Sequence, residues 1–179
     1  DLSVDASATL EVTITDPSGA PVPGRLSVIC EGPCPSRASS AERDMTSDSL
    51  PGGFAAVVPA SVDGVARVEL APGTYRLAVS RGMEWSLWPA GAADSGGALV
   101  ELTGGSTTTR LAEIAHVVRT PGVVSGDFHI HSVPSTDSTV ALRARVLDYL
   151  TESVDVMVRT DHDAISDFAP ASLDLGAQY

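Results

Sequence analysis

Leu10-Glu11-Val12-Thr13-Ile14-Thr15-Asp16-Pro17-Ser18-Gly19 is the stretch from which the fold is read. Leu10, Val12 and Ile14 alternate with Glu11, Thr13 and Thr15. Side chains of a strand point to opposite faces at each step, so this segment has one buried and one wet face. Asp16-Pro17-Ser18-Gly19 then supplies turn chemistry. The same alternation returns at Tyr75, Leu77 and Val79 against Thr74, Arg76 and Ser80, after a Pro72-Gly73 turn. Weaker strands are expected at Gly24–Ile29, Val65–Leu70, Trp85–Trp88, Ala98–Leu102 and Thr108–Val118. Short strands punctuated by turns predict a mostly β chain that opens with a two-sheet sandwich. Pro33 to Gly53, rich in Ser, Pro and Asp, reads as a long loop.

The pattern changes after Arg119-Thr120-Pro121-Gly122. Val123–Ser132 reads as a strand, Thr139–Ser153 as a helix and Val154–Thr160 as a second strand. Leu142, Val146, Tyr149 and Leu150 fall at helical spacing and make one apolar stripe, and Ser138 or Thr139 is placed to cap the helix start. Strand, helix and strand at this spacing predict a βαβ unit with parallel strands. A sandwich does not continue in this way, so the expected boundary separates 1–118 from 119–179.

Composition narrows the function. The formal charge of −12 opposes a grip on nucleic acid or an anionic membrane surface. All eleven cations are Arg, so Schiff-base and Lys-activated chemistry are excluded. No apolar run is long enough to span a bilayer, and no leader is expected; the start at Asp1 fits a mature secreted protein or a trimmed chain. Cys30 and Cys34 flank Glu31-Gly32-Pro33, a tight loop compatible with a local disulfide or with two free thiols.

Chemistry concentrates in Gly126-Asp127-Phe128-His129-Ile130-His131-Ser132. On a strand His129 and His131 share a face and can grip one metal ion, while Phe128 and Ile130 point the other way into a core. The second strand runs into Arg159-Thr160-Asp161-His162-Asp163, whose His162 lies at the same end of the unit as His131. Between them, Ser135-Thr136-Asp137-Ser138 offers Asp137 as an oxygen ligand. His116 lies outside these clusters and reads as an ordinary strand residue. The chain has no Gly-x-Ser-x-Gly elbow, P-loop or dinucleotide fingerprint.

The order His-x-His-Ser, Ser-x-Asp, helix, Thr-Asp-His resembles the opening of the PHP superfamily, named for polymerase and histidinol phosphatase. Pro134 to Ser138, Thr160 to Asp163, Asp167-Phe168 and Arg81-Gly82-Met83-Glu84 look like its carbaryl-hydrolase-like branch. Val12 to Pro23, Asp63-Gly64 and Ala71 to Tyr75 resemble carboxypeptidase-regulatory, transthyretin-like domains, an immunoglobulin-like sandwich with no catalytic role. The resemblance implies that 119–179 is the first βαβ unit of an incomplete α/β barrel. It assigns His129, His131, Asp137 and His162 to a multinuclear site of Zn, Mn or Fe. Asp161 would orient a ligand from behind. Asp127 and Asp163 would do the same or stand as solvated carboxylates.

The implied reaction is hydrolysis of a phosphoester, or another ester or carbamate, by metal-activated water, without a protein nucleophile. A small-molecule ester would then be the substrate of the parent protein, with a secreted, periplasmic or cell-surface location in a bacterium. The family's later ligands have no counterpart before Tyr179, so this chain alone is expected to be inactive. The unfinished barrel is expected to leave apolar edges through which copies can associate. The rival reading is a non-catalytic β-sandwich binding or structural module with a vestigial PHP segment.

Overall fold

The computed structural model describes residues 6–32 and 53–177. Strand β1 (Ala8–Thr15) is the centre of a three-stranded sheet, antiparallel to β4 (Val65–Leu70) and parallel to β7 (Thr107–Glu113). Facing it is a four-stranded sheet in the order β3 (Phe54–Ala60), β2 (Gly24–Cys30), β5 (Gly73–Ser80), β6 (Ala98–Leu102), with all its pairs antiparallel. Alternation does what the sequence implied: Leu10, Val12 and Ile14 from one sheet meet Leu26, Val28, Tyr75, Leu77 and Val79 from the other, all fully buried. Each such side chain removed from water stabilises the fold by about 1.5–3 kcal/mol. Mostly β structure with a sandwich core is therefore what the chain forms.

The first turn is closed by Asp16, whose Oδ1 accepts from the Ser18 amide at 2.8 Å, the Ser18 hydroxyl at 2.6 Å and the Ala20 amide at 3.1 Å. The Ser18 hydroxyl is the main cause holding this carboxyl below its ordinary range. Fully buried Tyr75 donates its hydroxyl hydrogen to the Ala71 carbonyl at 2.8 Å, which satisfies the one polar atom of the largest core side chain.

Several expectations change. β3 is a strand that period-two reading misses, because Ala55 and Ala56 face the core while Val57 and Pro59 are half-covered from outside by a helix. Trp85–Trp88 is no strand: Trp85 and Trp88 make only single bridges, to His116 and Val79. The Pro33–Gly53 loop reading falls almost wholly on residues outside those described. Cys30 is disulfide-bonded, and Cys34, the chain's other cysteine, also lies outside the described residues.

After the short α1 (Ala92–Ser95) and the sandwich strands, β8 (Gly126–Ile130), α2 (Leu142–Thr151) and β9 (Val156–Arg159) form a strand-helix-strand arrangement, followed by α3 (Ala169–Asp174). β8 and β9 are parallel. Two paired strands are the whole of this sheet among the described residues, and nothing in it marks the expected first unit of an incomplete PHP barrel. The core of this part is small, with Ile130, Val146, Phe168 and Leu175 buried together. Phe128, expected inside, is 68% exposed, because pairing slips between Asp127 and Ile130 and the alternation is broken there.

The helix is shorter than the expected Thr139–Ser153, though it holds the whole apolar stripe. Ser138 and Thr139 do not cap it; the N-cap is Ala141, without a side-chain bond. Ser138 Oγ instead donates to the His131 carbonyl and accepts from the Val140 amide, both at 3.3 Å, so its capping capacity is spent one turn early.

α2 lies against β2 and β3 and fixes the α/β part to the sandwich. Arg25 Nη1 meets Glu152 Oε1 at 2.6 Å. Arg81 Nη1 donates to the carbonyls of Pro23 at 2.8 Å and Leu150 at 3.3 Å. Beside it Gly82, at φ +65°, passes so close to helix-end Glu152 that an added Cβ would sit 2.1 Å from its carbonyl oxygen. Only glycine fits that approach.

Candidate functional site

The carboxyl ends of β8 and β9 bring His131 and His162 together, their rings 4.8 Å apart and edge to face. The loop after β8 delivers Asp137 between them. His131 Nδ1 lies 2.8 Å from Asp137 Oδ2, and His162 Nε2 lies 3.3 Å from the same oxygen. One donor atom from each of the three residues falls within 4.8 Å of the others. His129 stacks near His131 at 4.9 Å between ring centres but stands outside this three-donor group.

Asp137 is held down to a pKa of about 2, chiefly by the Ser135 hydroxyl at 2.5 Å and then by His131. It is thus an ionised acceptor at neutral pH. Ser135 also accepts from the His162 amide at 3.0 Å, so one hydroxyl aligns both the carboxylate and the β9 histidine. The sequence placed Ser135 in the Ser-x-Asp loop but gave it no role. Its position two residues before an acid, in a loop of Ser and Thr, is the local signal that marks such side-chain-closed turns.

Asp161 does not enter the group. Its carboxylate is fully buried behind it and accepts from the Ser132 amide at 2.6 Å and the Ser132 hydroxyl at 3.0 Å, with Arg159 Nε as its ion-pair partner. Burial pushes this carboxyl up, but the Ser132 bonds and Arg159 outweigh it and leave it below the usual range. The Ser132–Asp161 bonds join the β8 end to the β9 end. Asp127 faces away from the histidine trio: its Oδ1 accepts from the His129 amide at 2.9 Å and its Oδ2 from Tyr149. Asp163 is exposed on the loop at φ +52°.

His116 is more than a plain strand residue. Its ring stacks on Trp85 at 5.3 Å, its Nε2 meets Glu84 at 3.0 Å, and the Arg81 guanidinium lies 4.9 Å over the other ring. This cluster sits where the chain leaves the sandwich.

Two imidazoles and a carboxylate suit Zn, Mn or Fe by ligand type. No family model matches the chain, and no curated protein does. Among solved structures it is similar to the TIE protein of Bacillus anthracis, at 12% identity and a TM-score of 0.37, over 74% of this chain and 20% of that one. It is also similar to GBS52, the minor pilin of the Gram-positive pathogen Streptococcus agalactiae, at 18% identity and a TM-score of 0.42, over 68% of this chain and 49% of that one. The chain thus spans a fifth and about half of these two proteins.

The expected membership of the PHP superfamily, and with it the carboxypeptidase-regulatory assignment and the hydrolase function, is corrected on these findings. No family model answers to either resemblance, and the solved structures to which the chain is similar are a TIE protein and a minor pilin. The motif that suggested the family is a handful of polar residues at turn and strand ends. Local spacing of that kind arises wherever a strand-helix-strand segment ends in His and Asp, and by itself it does not define a family.

Proposed function

We propose that the chain is a non-catalytic β-sandwich binding or structural module that works outside the cytoplasm of a bacterium, at its surface or in secretion. In this reading residues 1–118 are the module and 119–179 an appended segment docked on it. The observation that carries it is the distribution of the core: buried side chains from both large sheets form one continuous interior, while the appended segment has only a small one. The disulfide at Cys30 supports an oxidising compartment. No helix among the described residues is long and apolar enough to cross a membrane.

His131, Asp137 and His162 would hold one divalent ion, Zn, Mn or Fe. Bound there, the ion would supply a clip between the β8 end, its following loop and the β9 end, and its binding energy would add to folding. His129 is within reach only if its ring turns. The test is elemental mass spectrometry of the purified chain beside His131→Ala, with hydrolysis of p-nitrophenyl phosphate followed in both. Metal near one equivalent that is lost in His131→Ala, with hydrolysis at the buffer rate, is the expected result. Phosphoester turnover that disappears with His131 would overturn the non-catalytic reading.

A further inference from the structure

Among the described residues β9 is paired on one side only. Its Val156 amide donates toward β8, to the Ser125 carbonyl at 3.0 Å, so by the alternation of a strand the Met157 and Arg159 amides point outward. Such an edge is a template for another strand unless charge, proline or a cover blocks it. Val156-Met157-Val158 carries none of the first two, and Val156 is exposed. Alongside the edge runs a groove of about 590 Å³, walled by Leu150, Ser166 and Phe168.

Two polar groups near the strand ends have capacity left over. Asp155 Oδ2 takes both bonds from Ser125, and no bond falls on Oδ1 among the described residues. Arg159, its side chain only 6% exposed, pairs through Nε with Asp161, and its Nη1 and Nη2 have no hydrogen-bond partner there. Guanidinium hydrogens buried without acceptors are costly. A strand that brought a carboxylate oxygen opposite Arg159 would satisfy them.

β9 itself is that strand. Antiparallel pairing of two copies about Met157 sets Val156 opposite Val158 and Asp155 opposite Arg159, and twofold symmetry repeats both contacts. Residues 155, 157 and 159 share the face on which Met157 packs toward α2, so the acid and the base meet on the same side of the sheet.

We propose that the chain self-associates through β9, two copies pairing antiparallel about Met157 into a sheet of order β8-β9-β9-β8. This goes beyond the module reading and does not depend on the metal. A second copy matches both the apolar centre and the two flanking charges in register.

Sedimentation equilibrium of the full chain across its soluble range tests this, with Val156→Lys, Val158→Glu and their equimolar mixture. The wild type should show a reversible monomer–dimer equilibrium, each single variant at least a tenfold weaker one, and the mixture a restored dimer, because Lys and Glu then face each other. Far-ultraviolet circular dichroism and thermal midpoint should stay at wild-type values in both variants. A wild type that is monomeric throughout would overturn the proposal, as would a dimer whose constant neither substitution changes. A mixture no tighter than either single variant would overturn the register about Met157.

Discussion

Tyr149 of α2 donates its hydroxyl hydrogen to Asp127 Oδ2 at 2.5 Å and so ties the helix to the first strand of the small sheet. Burial first, and the Asp127 bond second, raise the tyrosine to about 12, while the same bond heads the causes that lower Asp127. A tyrosine whose folded pKa lies above its unfolded value contributes stability that is complete below about 10 and is lost as pH rises toward 12. Spectrophotometric titration should find this phenol still protonated at pH 11. In Asp127→Asn the midpoint should move down, and a midpoint unchanged by that substitution would mean the bond is not made.

Tyr75 offers a cleaner measure of one buried hydrogen bond. Tyr75→Phe keeps the ring in the core and leaves the Ala71 carbonyl without its donor. The expected cost is about 0.5–1.5 kcal/mol, because the bond is part-buried and water can partly replace the lost donor. Urea unfolding should show a lower midpoint at unchanged slope.

Gly82→Ala tests the docking of α2. The added methyl would collide with the Glu152 carbonyl and sit at a positive φ, where a non-glycine residue alone loses about 1–2 kcal/mol. The clash pushes the helix off the sandwich instead of opening the sandwich core. Limited proteolysis should therefore cut faster between residues 119 and 141 while the sandwich fragment survives. Equal rates for the variant and the wild type would show that the junction tolerates the change.

Ser135 aligns Asp137 and His162 with one hydroxyl. If the trio holds zinc, Ser135→Ala should weaken it by about tenfold, in the range found when groups that orient ligands are removed. Competition with a chromophoric chelator reads this directly. Zinc affinity equal to that of the wild type would show that the loop is ordered by other bonds. Chelation of the wild type should lower its thermal midpoint, and His131→Ala should not respond.

The sandwich was legible in sequence wherever one face of a strand is wet. Leu10, Val12 and Ile14, like Tyr75, Leu77 and Val79, show period two because water covers their alternate neighbours. β3 was illegible for the opposite reason. α2 covers its outer side, so Phe54-Ala55-Ala56-Val57-Val58 has no polar alternate to mark it. The same tertiary contact placed Arg25 beside Glu152 and Arg81 beside Leu150, pairs separated by too much chain for any local pattern to announce.

At the candidate site, residue types and spacing identified His131, Asp137 and His162 as groups able to meet, because a strand alternates and parallel strands end together. That regularity also suggested a family and a reaction which the comparisons do not uphold. Sequence alone determined the β alternation, the turn at Asp16, the absence of Lys chemistry and the donor types available to a metal. Tertiary structure decided that His129 stands apart, that Phe128 faces out and that the strand-helix-strand segment docks on the sandwich through α2. Those outcomes depend on which surfaces cover one another, and burial is a property of packed neighbours, not of the residues that carry it.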